Sequence, residues 1–241
     1  MSGRDGSGSR NLAPLSGLQL LWYQWSPDGR SIEYFQHAVT FSDGSIGILD
    51  LDGTPTSRTL VSFPRSDPCH PPETPIGCVH SVAMSPVDGR IAYVTYNPET
   101  GIDTVRVVDP DDGAITPVAS VTATGLPNNA PSRIAWSRDG SRIALAAGCQ
   151  IWSIAADGSD QAVVKDLSPC TATPGRLTWS PDGAELAFVE PSFDVVGHLQ
   201  SVTLYALTVD GSSMRRLATL QGDFGVGFNA ITWRPVPIPE R

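Results

Sequence analysis

The chain has 241 residues, 40% of them hydrophobic and 17% charged, with a formal net charge of −9 and a pI near 4.7. An acidic protein without clustered Lys and Arg excludes a nucleic-acid partner, because phosphate binding needs a basic stripe. No apolar run reaches the roughly 18 residues of a membrane-crossing helix, so no transmembrane segment is expected, and 40% hydrophobic content supplies a sizeable all-β core.

Taken in chain order, one turn recurs after a short strand: Trp25-Ser26-Pro27-Asp28-Gly29, Ser85-Pro86-Val87-Asp88-Gly89, Trp136-Ser137-Arg138-Asp139-Gly140 and Trp179-Ser180-Pro181-Asp182-Gly183. Equivalent positions Trp25, Met84, Trp136, Trp179 and Trp233 are spaced by 59, 52, 43 and 54 residues, a period that marks an array of small stacked units. A second marker follows each first one: Asp50-Leu51-Asp52-Gly53, Asp111-Asp112-Gly113, Ala156-Asp157-Gly158 and Val209-Asp210-Gly211. Asp-Gly between apolar runs signals a hairpin, since Gly accepts the positive φ of a tight turn. Each unit therefore reads as four antiparallel strands, A to D. In the third unit these are Arg133 to Trp136, Arg142 to Ala147, Gln150 to Ala155 and Gln161 to Leu167. Strand B reads Ile32-Glu33-Tyr34, Ile91-Ala92-Tyr93, Ile143-Ala144-Leu145 and Leu186-Ala187-Phe188, apolar on both faces as a sheet packed between two others must be. Glu33 breaks this pattern and is expected to face a channel or an open edge.

The fold class is thus all-β, a β-propeller of four-stranded antiparallel blades. Four complete repeats stand between partial blades at both ends, giving a six-bladed ring with several strands missing or a five-bladed one lacking two. The Trp-Ser-Pro-Asp-Gly turns, the Ile-Ala-Tyr-like strands after them and the Asp-Gly-Ser turn leading to Arg215-Arg216-Leu217 resemble the TolB-like, or WD-like, β-propeller repeat family. The resemblance is best over Leu177 to Leu220 and Ile134 to Leu167, while the unit around Met84 lacks the Trp. It implies a six-bladed propeller of the kind found in periplasmic translocation proteins and in gating domains of prolyl oligopeptidase-like enzymes. Residues 1–241 read as one domain with the first ten residues loose. The chain reads as part of a longer propeller polypeptide, and the open strand edges call for a missing segment or partner chain to cover them.

Cys149 opens strand C and Cys170 follows strand D of the same unit, so the hairpin about Asp157-Gly158 brings them into bonding range. Such a bridge would contribute roughly 3 kcal/mol. Cys69 and Cys78 bracket a Pro-rich loop. Four cysteines in two locally pairable sets point to an oxidising, extracytoplasmic compartment, although no signal peptide is evident before Pro14. Cys69, His70, Cys78 and His80 also offer four zinc ligands, in a spacing that matches no familiar finger; a loop disulfide and free thiols are the alternatives. Asp109 to Asp112 and Asn97 to Asp103 carry oxygens of the type calcium prefers, without the spacing of a calcium loop, and read as solvated turns. No metal is assigned.

Asp223-Phe224-Gly225 lacks the rest of a kinase signature, and Gly225-Val226-Gly227 lacks the strand-to-helix setting of a dinucleotide site. No Gly-x-Ser-x-Gly elbow occurs, no cofactor is implied and no catalytic residue is assigned. The recurring Trp residues read as packing between blades. Function is expected where repeats differ: the His37 to Ser45 insert, the Ser66 to His80 loop, Thr122 to Pro131 and the Pro191 to Gln200 insert. His37, His70, His80 and His198 lie in or beside these segments and are the candidate binding residues. The reading is a non-enzymatic module that recognises a protein or peptide through inter-strand loops and the channel rim. The alternatives are a gating propeller whose hydrolase domain lies outside this chain, and a channel-face lyase or hydrolase.

Overall fold

A computed structural model describes residues 18–38, 44–63, 79–97, 100–123, 132–194, 198–221 and 233. Among them there are sixteen strands and no helix, and so no helix long and apolar enough to cross a membrane. The chain divides into two compact units, Met1–Gly77 and Cys78–Arg241. The predicted partial blades at the two ends lie outside the described residues, apart from Trp233.

The first unit holds one sheet of β1 (Leu18–Trp25), β2 (Ser31–Ala38), β3 (Gly44–Asp50) and β4 (Thr56–Phe63), antiparallel and in sequence order. Glu33 lies in β2 opposite Gln24 and Ile48. The residue is only 1% exposed, so the expectation that it faces a channel or open edge is corrected: the strand buries both faces here as elsewhere, and takes the carboxyl in with them. Glu33 Oε2 has no hydrogen-bond partner, and burial, with the nearby Asp28 carboxylate second, pushes its pKa up to about 8. A carboxyl in such a place is protonated near neutrality, because an unpaired buried charge costs far more than a proton.

The second unit contains three more sheets of the same kind. They are β5 (Val79–Met84), β6 (Ile91–Asn97), β7 (Ile102–Val108) and β8 (Ile115–Thr122); β9 (Arg133–Trp136), β10 (Arg142–Ala147), β11 (Gln150–Ala155) and β12 (Gln161–Asp166); and β13 (Gly175–Trp179), β14 (Glu185–Phe193), β15 (Leu199–Thr208) and β16 (Met214–Gln221). The four strands predicted for the third repeat coincide with β9 to β12, except that β12 stops at Asp166. Leu167 instead donates its N–H to the Cys149 carbonyl at 2.9 Å.

Local chemistry explains the repeated turns. After strand A the Ser hydroxyl donates to the Asp carboxylate two residues on, at 2.7 Å for Ser26–Asp28 and 2.6 Å for both Ser137–Asp139 and Ser180–Asp182. The same hydroxyl oxygen accepts the N–H of Ser31, Arg142 or Glu185 at 2.9 Å, closing the turn. The Ser137 hydroxyl, with the N–H and hydroxyl of Ser141, holds the Asp139 carboxyl down at about 2. Turn glycines follow at positive φ, +70° at Gly140 and +73° at Gly183, where a side chain is strained.

Packing between sheets in the second unit uses both faces of strand B, as predicted. Ile143 and Leu145 join a core with Ala92, Val94, Val105 and Val107 of the preceding sheet, while Ala144 and Ala146 meet Leu177, Trp179, Leu186 and Phe188 of the following one. The recurring Trp residues build this stack. Trp136 Nε1 donates to the Ala83 carbonyl at 2.9 Å, Trp179 Nε1 to Ala135 at 3.0 Å and Trp233 Nε1 to Thr178 at 3.4 Å. Each acceptor precedes the equivalent Trp position of the sheet before, so the indoles set one strand A in register with the next. Trp136 and Trp179 are buried, whereas Trp25 of the first unit is about half exposed.

The turn between strands C and D also touches the previous sheet. A Cβ on Gly211 would meet the Val164 backbone oxygen at 2.1 Å, and its φ is +73°. Gly211→Ala is therefore expected to destabilise the second unit by about 2 kcal/mol, from a backbone clash and a strained φ together. Chemical denaturation compared with Gly53→Ala, whose Cβ meets nothing, separates the two contributions; equal losses in both variants would count against the clash.

Candidate functional site

Antiparallel order places the A–B and C–D turns at one end of each sheet and the B–C and D–A connections at the other. The first set is short and repetitive. The second contains all four irregular segments singled out in the sequence, so within every sheet variation is confined to one end.

At that end of the second unit a polar cluster is buried. Asp103, near the start of β7, is fully buried, and Ser132, just before β9, is too. The Ser132 hydroxyl donates to Asp103 Oδ2 at 2.5 Å. His80 in β5 brings Nδ1 to 3.4 Å from Asp103 Oδ1 and accepts the Ser132 N–H at 3.3 Å. Its ring stacks on Tyr96, with centroids 5.3 Å apart. When neutral, His80 Nδ1 receives the Ser132 N–H and leaves Asp103 Oδ1 without a donor; when protonated it can donate to that oxygen. Serine, histidine and aspartate are thus assembled, but in the wrong order for acyl transfer. The hydroxyl points at the carboxylate rather than at the imidazole, so the histidine is not placed to act as its base. The arrangement is a clamp that ties the second sheet to the strand entering the third.

Register explains why the clamp falls here. Strand-B residues Ile32, Ile91, Ile143 and Leu186 pair with Leu49, Val108, Ile154 and Leu207. Counting back equally from these, the place of Asp103 is taken by Gly44, Cys149 and Val202 in the other sheets. Cys149 is bonded to Cys170, with an S–S distance of 2.07 Å, in the segment that enters the fourth sheet. One position thus carries a hydrogen-bonded clamp in one repeat and a covalent clamp in the next. Asp103 was legible only as a loop oxygen, and Ser132 and Tyr96 were missed; no local signal marks them, since their partners come from other strands.

The remaining predicted site residues fare as follows. His198 is exposed, and Asp194 Oδ1 accepts its N–H at 2.8 Å while Asp194 Oδ2 lies 3.4 Å from its Nδ1, so it closes its own hairpin. His37 sits in β2 opposite Gln19 and Gly44, its side chain beyond the described atoms. His70, Cys69 and Cys78 lie outside the described residues. His80 is engaged with Asp103, and no group of three metal-binding side chains exists among the described residues. Asp109, Asp112 and Asn97 accept the N–H groups of Asp111, Ala114 and Thr100, and Asp103 is committed to Ser132.

Comparison with known proteins defines the class. No family model and no curated protein matches the chain. Among solved structures it is similar to the β-propeller domain of the Trilobed protease from Pyrococcus furiosus, at 13% identity over 84% of this chain and 57% of that one, with a TM-score of 0.50. A chain of the nidogen/laminin complex shows 16% identity over 74% and 59%, with a TM-score of 0.50. TolB from Acinetobacter baumannii shows 17% identity over 85% and 55%, with a TM-score of 0.48. This chain spans less than two thirds of each. At such identities the likeness is one of fold, and with four antiparallel four-stranded sheets the chain is an all-β protein of the propeller class.

Proposed function

We propose that residues 1–241 act as one propeller module that binds a protein or peptide through the B–C and D–A connections. The observation that carries this reading is the segregation of irregular segments to one end of every sheet, above a scaffold whose other end repeats the same two turns. Such a division leaves the repeats to build a rigid support and the variable connections to recognise. The Asp103–Ser132 hydrogen bond and the Cys149–Cys170 bridge support it, because they stiffen the same end and reduce the ordering cost of binding. The disulfide also supports an exported protein, since such bonds persist in oxidising compartments.

Peptide display on the folded chain tests the reading. Selected peptides are expected to bind saturably and to lose at least about tenfold in affinity when Pro191 to Gln200 is replaced by a two-residue turn. Substituting the opposite-end Asp157 should leave binding intact. Absence of any enriched peptide, or binding indifferent to the loop, would overturn it.

A further inference from the structure

Two buried groups in the second unit compete for one nitrogen. Tyr96 and Asp103 are paired across β6 and β7, on the face that carries Val94 and Val105 into the core shared with the third sheet. His80 reaches the same place from β5. The pairing of β5 with β6 slips between Val79 and Ser81, which leaves His80 as the additional residue of a β-bulge, a device that re-aims a side chain. Its Nδ1 lies 3.3 Å from the Ser132 backbone nitrogen and 3.4 Å from Asp103 Oδ1. Ser132 is fully buried, and Asp103 Oδ1 is buried with no hydrogen-bond partner.

One nitrogen cannot serve both. Neutral, with its hydrogen on Nε2, His80 accepts the Ser132 N–H and leaves the carboxylate oxygen unsatisfied. Protonated, it donates from Nδ1 to Asp103 in a charge-assisted bond and leaves the Ser132 N–H without an acceptor. A buried donor or acceptor left unmet is costly in either case, so each arrangement carries one penalty and the proton decides which. The Ser132 hydroxyl bond to Asp103 Oδ2, at 2.5 Å, is common to both. Among the described residues, the titratable and charged groups facing the imidazole are Asp103 on β7, the stacked phenol of Tyr96 on β6 and, on β9, Arg133, whose guanidinium is held on the Ser132 carbonyl at 3.0 Å. Arg106, paired with Tyr93 and donating to Thr95, lies on the opposite face of the sheet. His80 keeps 14% of its side chain exposed, which lets the proton come from solvent.

We propose that the cluster is a proton-operated latch, in which protonation of His80 transfers its Nδ1 from Ser132 to Asp103 and frees the backbone where the connection from β8 enters β9. It holds whether or not that connection recognises a peptide. The latch is tested by NMR on the whole chain between pH 8 and 5, the range in which histidine changes charge, by following the His80 ring signal and the hydrogen-exchange protection factor of the Ser132 amide. Protection at Ser132 is expected to fall at least about fivefold, the loss of one hydrogen bond, with the midpoint of the His80 titration. The amides of Ile143 and Leu145, in the core behind the cluster, should keep theirs. His80→Gln, which offers an acceptor but no titration, should hold Ser132 protected throughout; His198→Gln, on its own exposed hairpin, should respond as the parent does, and an unchanged amide fingerprint shows that each variant is folded. A His80 ring that does not titrate, Ser132 protection equal in both charge states, a loss shared with Ile143 and Leu145, or a loss that persists in His80→Gln would each exclude the latch.

Discussion

Replacing Glu33 with glutamine is expected to remove a loss of stability of about 3 kcal/mol that the parent protein suffers between pH 4.5 and 7. The sign follows from the two pKa values. In the unfolded chain the carboxyl titrates near 4.5, and in the folded one near 8. Below pH 4.5 it is protonated in both states and favours neither. Between the two values the unfolded state releases a proton that the folded state keeps, so stability falls as pH rises, and the loss is complete above the folded pKa. The glutamine side chain has nearly the same shape and does not titrate. Urea unfolding of the parent and Glu33→Gln at about pH 5, 6, 7 and 8, followed by fluorescence, should give stabilities that diverge with rising pH. Parallel curves would falsify the assignment of a buried carboxyl with an unpaired oxygen at this position. The same result bears on function: a neutral carboxylic acid in the first sheet is a packing element and not a charged group displayed to a ligand.

The second large effect concerns Cys149–Cys170. The bridge spans 21 residues, and losing it should cost about 3 kcal/mol through the greater freedom of the unfolded chain. Cys149 is fully buried, so Cys149→Ala with Cys170→Ala also loses some packing; reduction of the parent protein with a thiol reagent removes the bond while keeping both sulfurs. Both routes are expected to lower the urea midpoint of the second unit, and the double variant should become insensitive to reductant. A parent protein whose unfolding is unchanged by complete reduction, verified by thiol counting, would show that the clamp contributes nothing to stability.

Comparison of the sequence expectations with the structure separates two kinds of information. The strands of each sheet were legible because their signals are local. An Asp-Gly turn, a Ser hydroxyl bonded to an Asp two residues away and an alternation of apolar side chains act within one hairpin, and β9 to β12 accordingly match the predicted strands almost residue for residue. Pairing of Cys149 with Cys170 was legible for the same reason, both lying on one hairpin and its exit. Glu33 was misread because its ionisable side chain argued against the buried setting that the rest of strand B implies, and only the packing of the sheet shows that the carboxyl is buried.

What the sequence by itself determined is therefore the repeating four-stranded unit, its turns and the class of fold, all of them consequences of interactions between near neighbours in the chain. Only the tertiary structure decided which unlike residues meet across sheets. His80 and Asp103 come from two strands and Ser132 from the segment entering a third; their convergence depends on how Trp136 aligns successive first strands. That alignment is a property of packing between sheets, where side chains far apart in sequence share one interior, and no local pattern encodes it.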